Sequence, residues 1–173
     1  MLKFLSLVAT LCLTLSIATN AQARKPYPEE VESPYAVKYA PGTIVVSASK
    51  KELHLILSGN YARRYHVAVP KTGKQWSGEA YVDGKHVKPA WAPPKEVKRD
   101  NPNIPDYIPG GDPSNPMGAA ALTLDRDELA IHGTNRPDSI GKAASYGCIR
   151  MYNEDINDLF GRVDVGTRVV MVK

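Results

Sequence analysis

The chain has 173 residues, which is enough for one ordinary domain together with a targeting segment. Its formal net charge of +4 is modest and its basic residues are scattered, so the composition does not indicate a nucleic-acid-binding protein. Beyond the first residues no stretch is apolar enough to span a bilayer.

The first 23 residues have the pattern of a cleavable signal peptide. Lys3 supplies the positive start, residues 4–17 form an apolar core, and Ala21-Gln22-Ala23 is a small-x-small cleavage site. We therefore expect cleavage after Ala23, loss of Cys12 with the leader, and a mature protein outside the cytoplasm with no membrane span. A retained membrane anchor is the alternative, but the apolar run is shorter than the ~20 residues that a spanning helix needs.

Residues 24–42 contain four prolines among charged residues and tyrosines, without a sustained period. This composition predicts an extended N-terminal arm or linker. The remaining residues, 43–173, are predicted to form a single domain.

Strand patterns begin that domain. Residues 43–47 are rich in β-branched side chains, and residues 53–69 alternate apolar and polar side chains on both sides of Gly59-Asn60, which predicts a hairpin. Asp83-Gly84 predicts the turn of a second hairpin. His54, His66 and His86 lie on these strand-like stretches without companion ligands, and we interpret them as structural or surface residues.

Residues 89–118 carry eight prolines and also contain Trp91 and Tyr107. A segment of this length without periodicity inside a compact domain is typically a functional loop or disordered. The two aromatic residues favour a packed loop, which we expect to form one wall of a ligand groove.

The last third of the chain predicts two strands, a helix and a closing strand. Residues 119–124 and 129–131 flank a short turn, so His132 is expected at the end of a strand. Asn153 is predicted as the N-cap of a helix that carries apolar residues at helical spacing, and residues 168–172 form the last strand. The whole pattern predicts a mainly β fold with one clear helix.

Cys148 lies sixteen positions after His132 and is the only cysteine expected in the mature chain. A thiolate is a strong nucleophile, and His132 could act as its base. The N–H groups of Tyr146, Gly147 and Cys148 could form an oxyanion hole, and Arg150 could bind a carboxylate. An inert buried cysteine and a structural histidine are the alternative. A zinc site is disfavoured, because one Cys and one His are fewer than the three or four protein ligands zinc usually has.

The segments 132–137, 139–141 and 145–151, which read His-Gly-Thr-Asn-Arg-Pro, Ser-Ile-Gly and Ser-Tyr-Gly-Cys-Ile-Arg-Met, resemble the signature of the YkuD-like L,D-transpeptidase catalytic domain. Relatives of the ErfK, YbiS, YcfS and YnhG type share it. Upstream segments around Trp91, Pro109-Gly110-Gly111 and residues 115–118 also resemble the family, so the likeness covers roughly residues 43–172. One departure is Tyr146, which stands where the family often has a second histidine.

The resemblance implies a β-sandwich or partly closed barrel with one or two short helices and a long proline-rich loop. It implies that Cys148 is the nucleophile and His132 the base, with the Gly133 carbonyl orienting the imidazole. It also implies substrate contacts from residues in the matched segments: Arg150, Ser145, Asn135 and Trp91. For Arg150 a structural ion pair with Asp155 is the alternative.

The implied reaction is acyl transfer on peptidoglycan tetrapeptide stems in the periplasm or cell envelope, through a cysteine thioester. No cofactor or metal is expected. The acyl acceptor is an amine of a second stem or a lipoprotein lysine, and carbapenems are expected as covalent inhibitors. The alternatives are an L,D-carboxypeptidase that uses water and a noncatalytic wall-binding protein.

Overall fold

The computed structural model describes residues 28–126 and 128–172, and the predicted signal peptide lies outside these ranges. The described residues form eleven strands, two α-helices and one 3₁₀ turn at Pro137–Ser139. The strands are β1 Glu29–Glu32, β2 Ile44–Ser47, β3 Glu52–Ile56, β4 Tyr61–His66, β5 Val69–Pro70, β6 Gly78–Val87, β7 Ala120–Leu124, β8 Ala130–His132, β9 Ala143–Ser145, β10 Ile149–Arg150 and β11 Arg168–Val172. The helices are α1 Lys95–Asp100 and α2 Asn153–Phe160.

Nine of these strands form one sheet in the order β1-β4-β3-β2-β11-β6-β7-β8-β10, and β5 pairs with β9 separately. The ends of the large sheet are β1 and β10, so the described strands do not close into a barrel. Apolar side chains from both halves, including Ile44 and Leu122, belong to one buried cluster, so the two halves enclose a common core. The prediction of a mainly β fold is confirmed.

The predicted hairpin over residues 53–69 is confirmed as the antiparallel pair β3 and β4. Leu53 pairs with Tyr65, and both are fully buried. Their neighbours on the other face are polar, as the two-residue period requires. The predicted strands at 43–47, 119–124, 129–131 and 168–172 are also present, as β2, β7, β8 and β11.

The second hairpin, predicted at Asp83-Gly84, was wrong. Strand β6 continues through these residues, and its pairing with β7 shifts register between Val82 and Gly84. The extra residue is accommodated as a β-bulge, which bends the strand instead of reversing it. The first half of β6 consequently pairs with β11 and the second half with β7.

The described part of the predicted N-terminal arm is integrated into the sheet. Strand β1 pairs with β4, and Ser33 Oγ lies 3.1 Å from Nδ1 of the buried His54. The other ring nitrogen of His54 lies 3.2 Å from a carboxylate oxygen of Glu52. Residues 28–42 therefore pack against the domain as an extended arm and do not form a free linker.

The proline-rich segment is packed, as expected. It also contains helix α1, which was not predicted because prolines lie on both sides of it. Trp91 and Ile108 exchange two backbone hydrogen bonds at the neck of the segment. Asn115 Nδ2 donates to the carbonyl oxygens of Pro89 and Pro109, at 2.9 and 3.0 Å. Within α1, Glu96 forms an ion pair with Lys74, which holds the helix against the loop that follows β5.

Helix α2 covers the sheet behind the end of β8. Ile156 and Leu159 are fully buried and the helix packs against β7 and β8. Asn153 is the first helical residue and its side chain caps no N–H of the helix, so the predicted N-cap was wrong. Among the described residues, no helix has the length and apolar character needed to cross a membrane.

Candidate active site

Two short parallel strands bring the predicted reactive residues together. Ile131 of β8 pairs with Ile149 of β10, and His132 pairs with Arg150. Both isoleucines are fully buried in the core. Because side chains alternate along a strand, His132 and Arg150 lie together on the opposite face. Cys148 directly precedes β10 and is a close neighbour of Arg150.

The imidazole of His132 is buried and its tautomer follows from one contact. Nδ1 lies 2.6 Å from the carbonyl oxygen of Gly133, so Nδ1–H donates there and Nε2 keeps its lone pair. Burial and, next, the charge of Arg150 lower the pKa of His132 to about 4. The ring is therefore a neutral base at pH 7.

The glycine after His132 is required by close packing. A Cβ at Gly133 would lie 2.3 Å from Oδ1 of Asn153 and 2.9 Å from the Ala119 nitrogen. Asn153 Oδ1 accepts from the Ala119 and Thr134 N–H groups, and its Nδ2 donates to the Thr134 carbonyl. The side chain of Asn153 thus fixes the backbone on both sides of the His132 loop.

The Cys148 thiol is partly buried and donates a hydrogen bond to the Glu128 carbonyl at 3.4 Å. Among the described residues, no hydrogen bond joins this thiol to His132. Burial raises the pKa of Cys148 and the nearby Arg150 opposes that rise. The resting thiol is therefore neutral and faces Glu128.

The loop from Ser145 to Cys148 is held by its own hydrogen bonds. Ser145 Oγ donates to the Cys148 carbonyl at 2.5 Å and accepts from the Gly147 N–H at 3.3 Å. The Gly147 N–H is therefore not directed to an oxyanion, and Ser145 is buried and engaged within the loop. In this structure Ser145 and the Gly147 N–H thus bond to each other, while the expected oxyanion hole and the expected substrate contact of Ser145 stay predictions.

The N–H groups of Tyr146 and Cys148 remain as candidate oxyanion donors. In the part of the chain that the structure describes, neither N–H takes part in a backbone or side-chain hydrogen bond. An amide N–H without a protein partner, next to the nucleophilic sulfur, is suited to stabilising a developing negative charge.

The guanidinium of Arg150 is half-buried, and burial lowers its pKa. The ion pairs between described residues do not include Arg150, so the alternative of an Arg150–Asp155 pair is not observed. Cys148, Arg136 and Asp138 are the charged or ionisable neighbours that influence it. A cation beside the thiol without a carboxylate partner is suited to binding a substrate carboxylate.

Tyr146 connects the catalytic loop to the proline-rich segment. Its hydroxyl donates to Asp100 Oδ2 of α1 at 2.9 Å, and Lys71 Nζ lies 3.5 Å from the centre of its ring. Tyr146 therefore holds α1 against the loop that precedes Cys148.

Two of the predicted substrate residues lie apart from this cluster. Asn135 is exposed, and its Nδ2 donates to the Ser114 carbonyl at 2.8 Å. Trp91 lies at the neck of the proline-rich segment, opposite Ile108. No hydrogen bond of either described residue reaches His132, Cys148 or Arg150.

Sequence reasoning missed three residues that shape the site: Trp76, Glu128 and Asn153. The indole N–H of Trp76 donates to the Gly147 carbonyl at 3.0 Å, from a turn-rich segment that carried no motif. Glu128 has a φ of 59°, and a non-glycine residue in the left-handed region is a signal only coordinates can give. Asn153 was predicted to be a helix N-cap, whereas its side chain bonds to the backbone of Ala119 and Thr134.

The arrangement is suited to acyl transfer. It combines a thiol, a neutral imidazole whose Nδ1–H donates to Gly133, two candidate amide donors and a guanidinium that forms no ion pair with the residues the structure describes. Within residues 28–126 and 128–172, no group of three His, Cys, Asp or Glu side chains is placed to hold a metal ion.

Comparisons with known proteins agree with this geometry. The family model of the L,D-transpeptidase catalytic domain, YkuD, matches residues 41–171. A putative L,D-transpeptidase YkuD of Bacillus subtilis is 37% identical over 139 residues, covering 80% of this chain and 68% of the relative. A probable L,D-transpeptidase ErfK/SrfK of Escherichia coli is 42% identical over 95 residues, which are 53% of this chain but 30% of that protein. The chain thus spans only part of the length of these relatives.

Solved structures show the same fold. The catalytic domain of an E. faecium L,D-transpeptidase acylated by ertapenem superposes with a TM-score of 0.57 at 20% identity, covering 75% of this chain and 95% of that one. An L,D-transpeptidase from Mycobacterium smegmatis gives 0.60 at 14% identity, covering 76% and 58%. The family model, the sequence relatives and the fold agree, and the chain belongs to the YkuD family of L,D-transpeptidase catalytic domains.

Proposed function

We propose that this protein is a periplasmic L,D-transpeptidase that acts on peptidoglycan stem peptides through a cysteine thioester. The observation that supports the proposal is the pairing of His132 with Arg150 across β8 and β10, with Cys148 directly before β10 and the Nδ1–H of His132 donating to the Gly133 carbonyl. The family membership supports the same reaction class.

In the first half-reaction, rotation of the Cys148 side chain moves the thiol from the Glu128 carbonyl towards His132. His132 Nε2 takes the thiol proton as Sγ attacks the carbonyl carbon between the diamino acid and the terminal D-alanine. The carbonyl oxygen becomes an oxyanion, which the Cys148 and Tyr146 N–H groups stabilise. The C–N bond breaks, His132 returns the proton to the leaving amine, and D-alanine departs.

In the second half-reaction an amine attacks the thioester carbon. His132 removes a proton from this amine, the C–S bond breaks, and the thiolate of Cys148 is protonated again. Arg150 binds a carboxylate of the stem and orients the scissile bond. A second stem gives a 3-3 cross-link, a lipoprotein lysine gives an anchored lipoprotein, and water gives an L,D-carboxypeptidase product.

Carbapenems should acylate Cys148 by the same nucleophilic attack. The ertapenem adduct of the E. faecium domain supports a corresponding adduct on Cys148, because a β-lactam presents a strained amide to the thiol. Export by the signal peptide predicted at residues 1–23 would place the protein with this substrate.

The test is the reaction of purified protein with a disaccharide-tetrapeptide, followed by mass spectrometry. We expect a covalent adduct that has lost D-alanine, then cross-linked dimer or tripeptide according to the acceptor. Cys148→Ala should form no adduct and should fold normally, because it removes only a sulfur atom. His132→Gln should lower acylation by about two orders of magnitude or more, as loss of a general base does.

A control for the loss of a histidine is His86→Gln, since His86 is exposed and its one described hydrogen-bond contact is with Thr123. It should react like the wild type. Adduct formation by Cys148→Ala, or a folded wild type that forms no adduct with tetrapeptide or carbapenem, would refute the proposed function.

A further inference from the structure

Trp76 contacts the catalytic loop from a separate part of the chain. It lies between β5 and β6, packs partly buried against the main core, and donates its indole N–H to the Gly147 carbonyl at 3.0 Å. Its ring is held in turn by Arg126, whose guanidinium lies 5.1 Å from the ring centre. Arg126 also donates to the Ser77 carbonyl at 3.3 Å.

The bonded carbonyl belongs to the same peptide group as the Cys148 N–H. A trans peptide is planar, and its C=O and N–H point in opposite directions. When the carbonyl is held by Trp76, the Cys148 N–H is directed away from Trp76, and no described residue accepts a hydrogen bond from it. The Trp76 contact therefore sets the direction of one candidate oxyanion donor.

Gly147 makes such a restraint necessary. Its φ is 152°, and a Cβ there would lie 2.6 Å from Leu129 Cδ2, so only glycine fits. Glycine has more backbone freedom than any other residue, and the peptide that follows it can rotate. The Ser145 hydroxyl bonds to the Cys148 carbonyl and the Gly147 N–H, which belong to the two adjacent peptide groups, so neither bond fixes the Gly147–Cys148 peptide directly.

We infer that Trp76 is a positioning residue for acyl transfer, because its indole N–H holds the Gly147–Cys148 peptide so that the Cys148 amide points at the oxyanion. This role rests on the proposed function and deepens it. Trp76 touches neither the sulfur nor the reacting carbonyl.

The test compares two reactions of the same thiol. Acylation by tetrapeptide or imipenem creates an oxyanion, whereas alkylation by iodoacetamide is a displacement at saturated carbon and creates none. Trp76→Phe keeps an aromatic ring and removes the N–H. We expect its maximal acylation rate to fall by about 10- to 100-fold, which is a smaller decrease than removal of an oxyanion donor would cause. The substrate concentration that gives half-maximal acylation and the rate of alkylation should not change.

The Phe ring should be tolerated, since it is smaller than the indole and Trp76 is only partly buried. If the Phe variant does not fold, β-(3-benzothienyl)alanine at position 76 keeps the shape of the indole and replaces only the N–H with sulfur. Its expected kinetics are those given for Phe. Thermal unfolding of each variant monitors the fold.

The outcomes separate the two claims. If a folded position-76 variant is acylated as fast as the wild type, the inference is wrong and the proposed function still stands. Equal losses of acylation and alkylation also overturn it, because they identify Trp76 as a packing residue. A folded wild type that alkylates but is never acylated overturns the proposed function itself.

Discussion

The His132 and Cys148 side chains are both neutral in the resting site. Burial lowers the pKa of the imidazole to about 4 and raises the pKa of the thiol, so a thiolate–imidazolium pair is disfavoured at pH 7. In the resting structure the thiol donates to Glu128 instead of His132. Proton transfer is thus expected to accompany substrate attack and not to precede it.

This neutral pair predicts the pH dependence of thiol alkylation. The rate with iodoacetamide should rise with pH and show no plateau between about pH 5 and pH 7, because the thiolate forms only above the ordinary thiol value of about 8.5. Stopped-flow or mass-spectrometric measurement of alkylation checks this. A plateau at acidic pH that disappears in His132→Gln would show a preformed ion pair and contradict the prediction.

At the scale of elements, α2 acts on the site through its first residue. Asn153 makes three hydrogen bonds to the backbone at Ala119 and Thr134, on both sides of the loop that follows His132. Gly118 and Gly133 leave space for its amide. The helix therefore supports the loop after His132 and also covers the core.

Removal of this support should affect stability and rate together. Asn153→Ala should lower the free energy of unfolding by about 1–3 kcal/mol, since it leaves polar backbone groups without partners. It should also slow acylation, because His132 loses its fixed position. Urea denaturation and carbapenem acylation measure the two effects.

Asn157→Ala is the matched control, because Asn157 is an exposed asparagine of the same helix. It should change stability by no more than about 0.5 kcal/mol and leave acylation unchanged. If both variants behave alike, the Asn153 contacts do not support the site.

The elements that sequence predicted correctly are those with local signals. The hairpin over residues 53–69 has alternating side chains and a Gly59-Asn60 turn, and both are local in the chain. Asp83-Gly84 has the same turn chemistry, yet its strand continues, because pairing with β11 and β7 on successive halves outweighs local preference. The sequence pattern did not predict helix α1, because the helix has only six residues, between Pro94 and Asn101.

The site was predictable only in part, for a similar reason. Motif spacing identified His132, Cys148 and Arg150 as candidates, and strand pairing places His132 beside Arg150, with Cys148 directly before that strand. The roles of Trp76 and Tyr146 depend on contacts with residues 71 and 46 positions away, which no local pattern encodes. The direction of the Gly147 N–H likewise follows from side-chain geometry and not from sequence.

At the scale of the whole molecule, two buried histidines make the free energy of unfolding depend on pH. Burial lowers the pKa of His132 to about 4 and also lowers that of His54. Protons then bind the unfolded chain more readily than the folded one below the ordinary value of 6.5. The stability that these groups contribute is complete above that pH and is lost as the pH falls towards 4.

We therefore expect the free energy of unfolding to decrease between about pH 6.5 and pH 4.5, above the range in which carboxylates titrate. The loss from His132 alone should reach on the order of 3 kcal/mol by pH 4. Urea denaturation across this range measures it. A flat profile, or an unchanged slope in the double variant His54→Gln with His132→Gln, would contradict the assignment.

The position of β11 has a consequence for biosynthesis. This strand, at Arg168–Val172, is the last one described along the chain, yet it lies inside the sheet between β2 and β6. While a ribosome still holds those residues, β2 and β6 have no partner between them, and the hydrophobic interior stays open. The sheet can therefore be completed only after β11 has been synthesised.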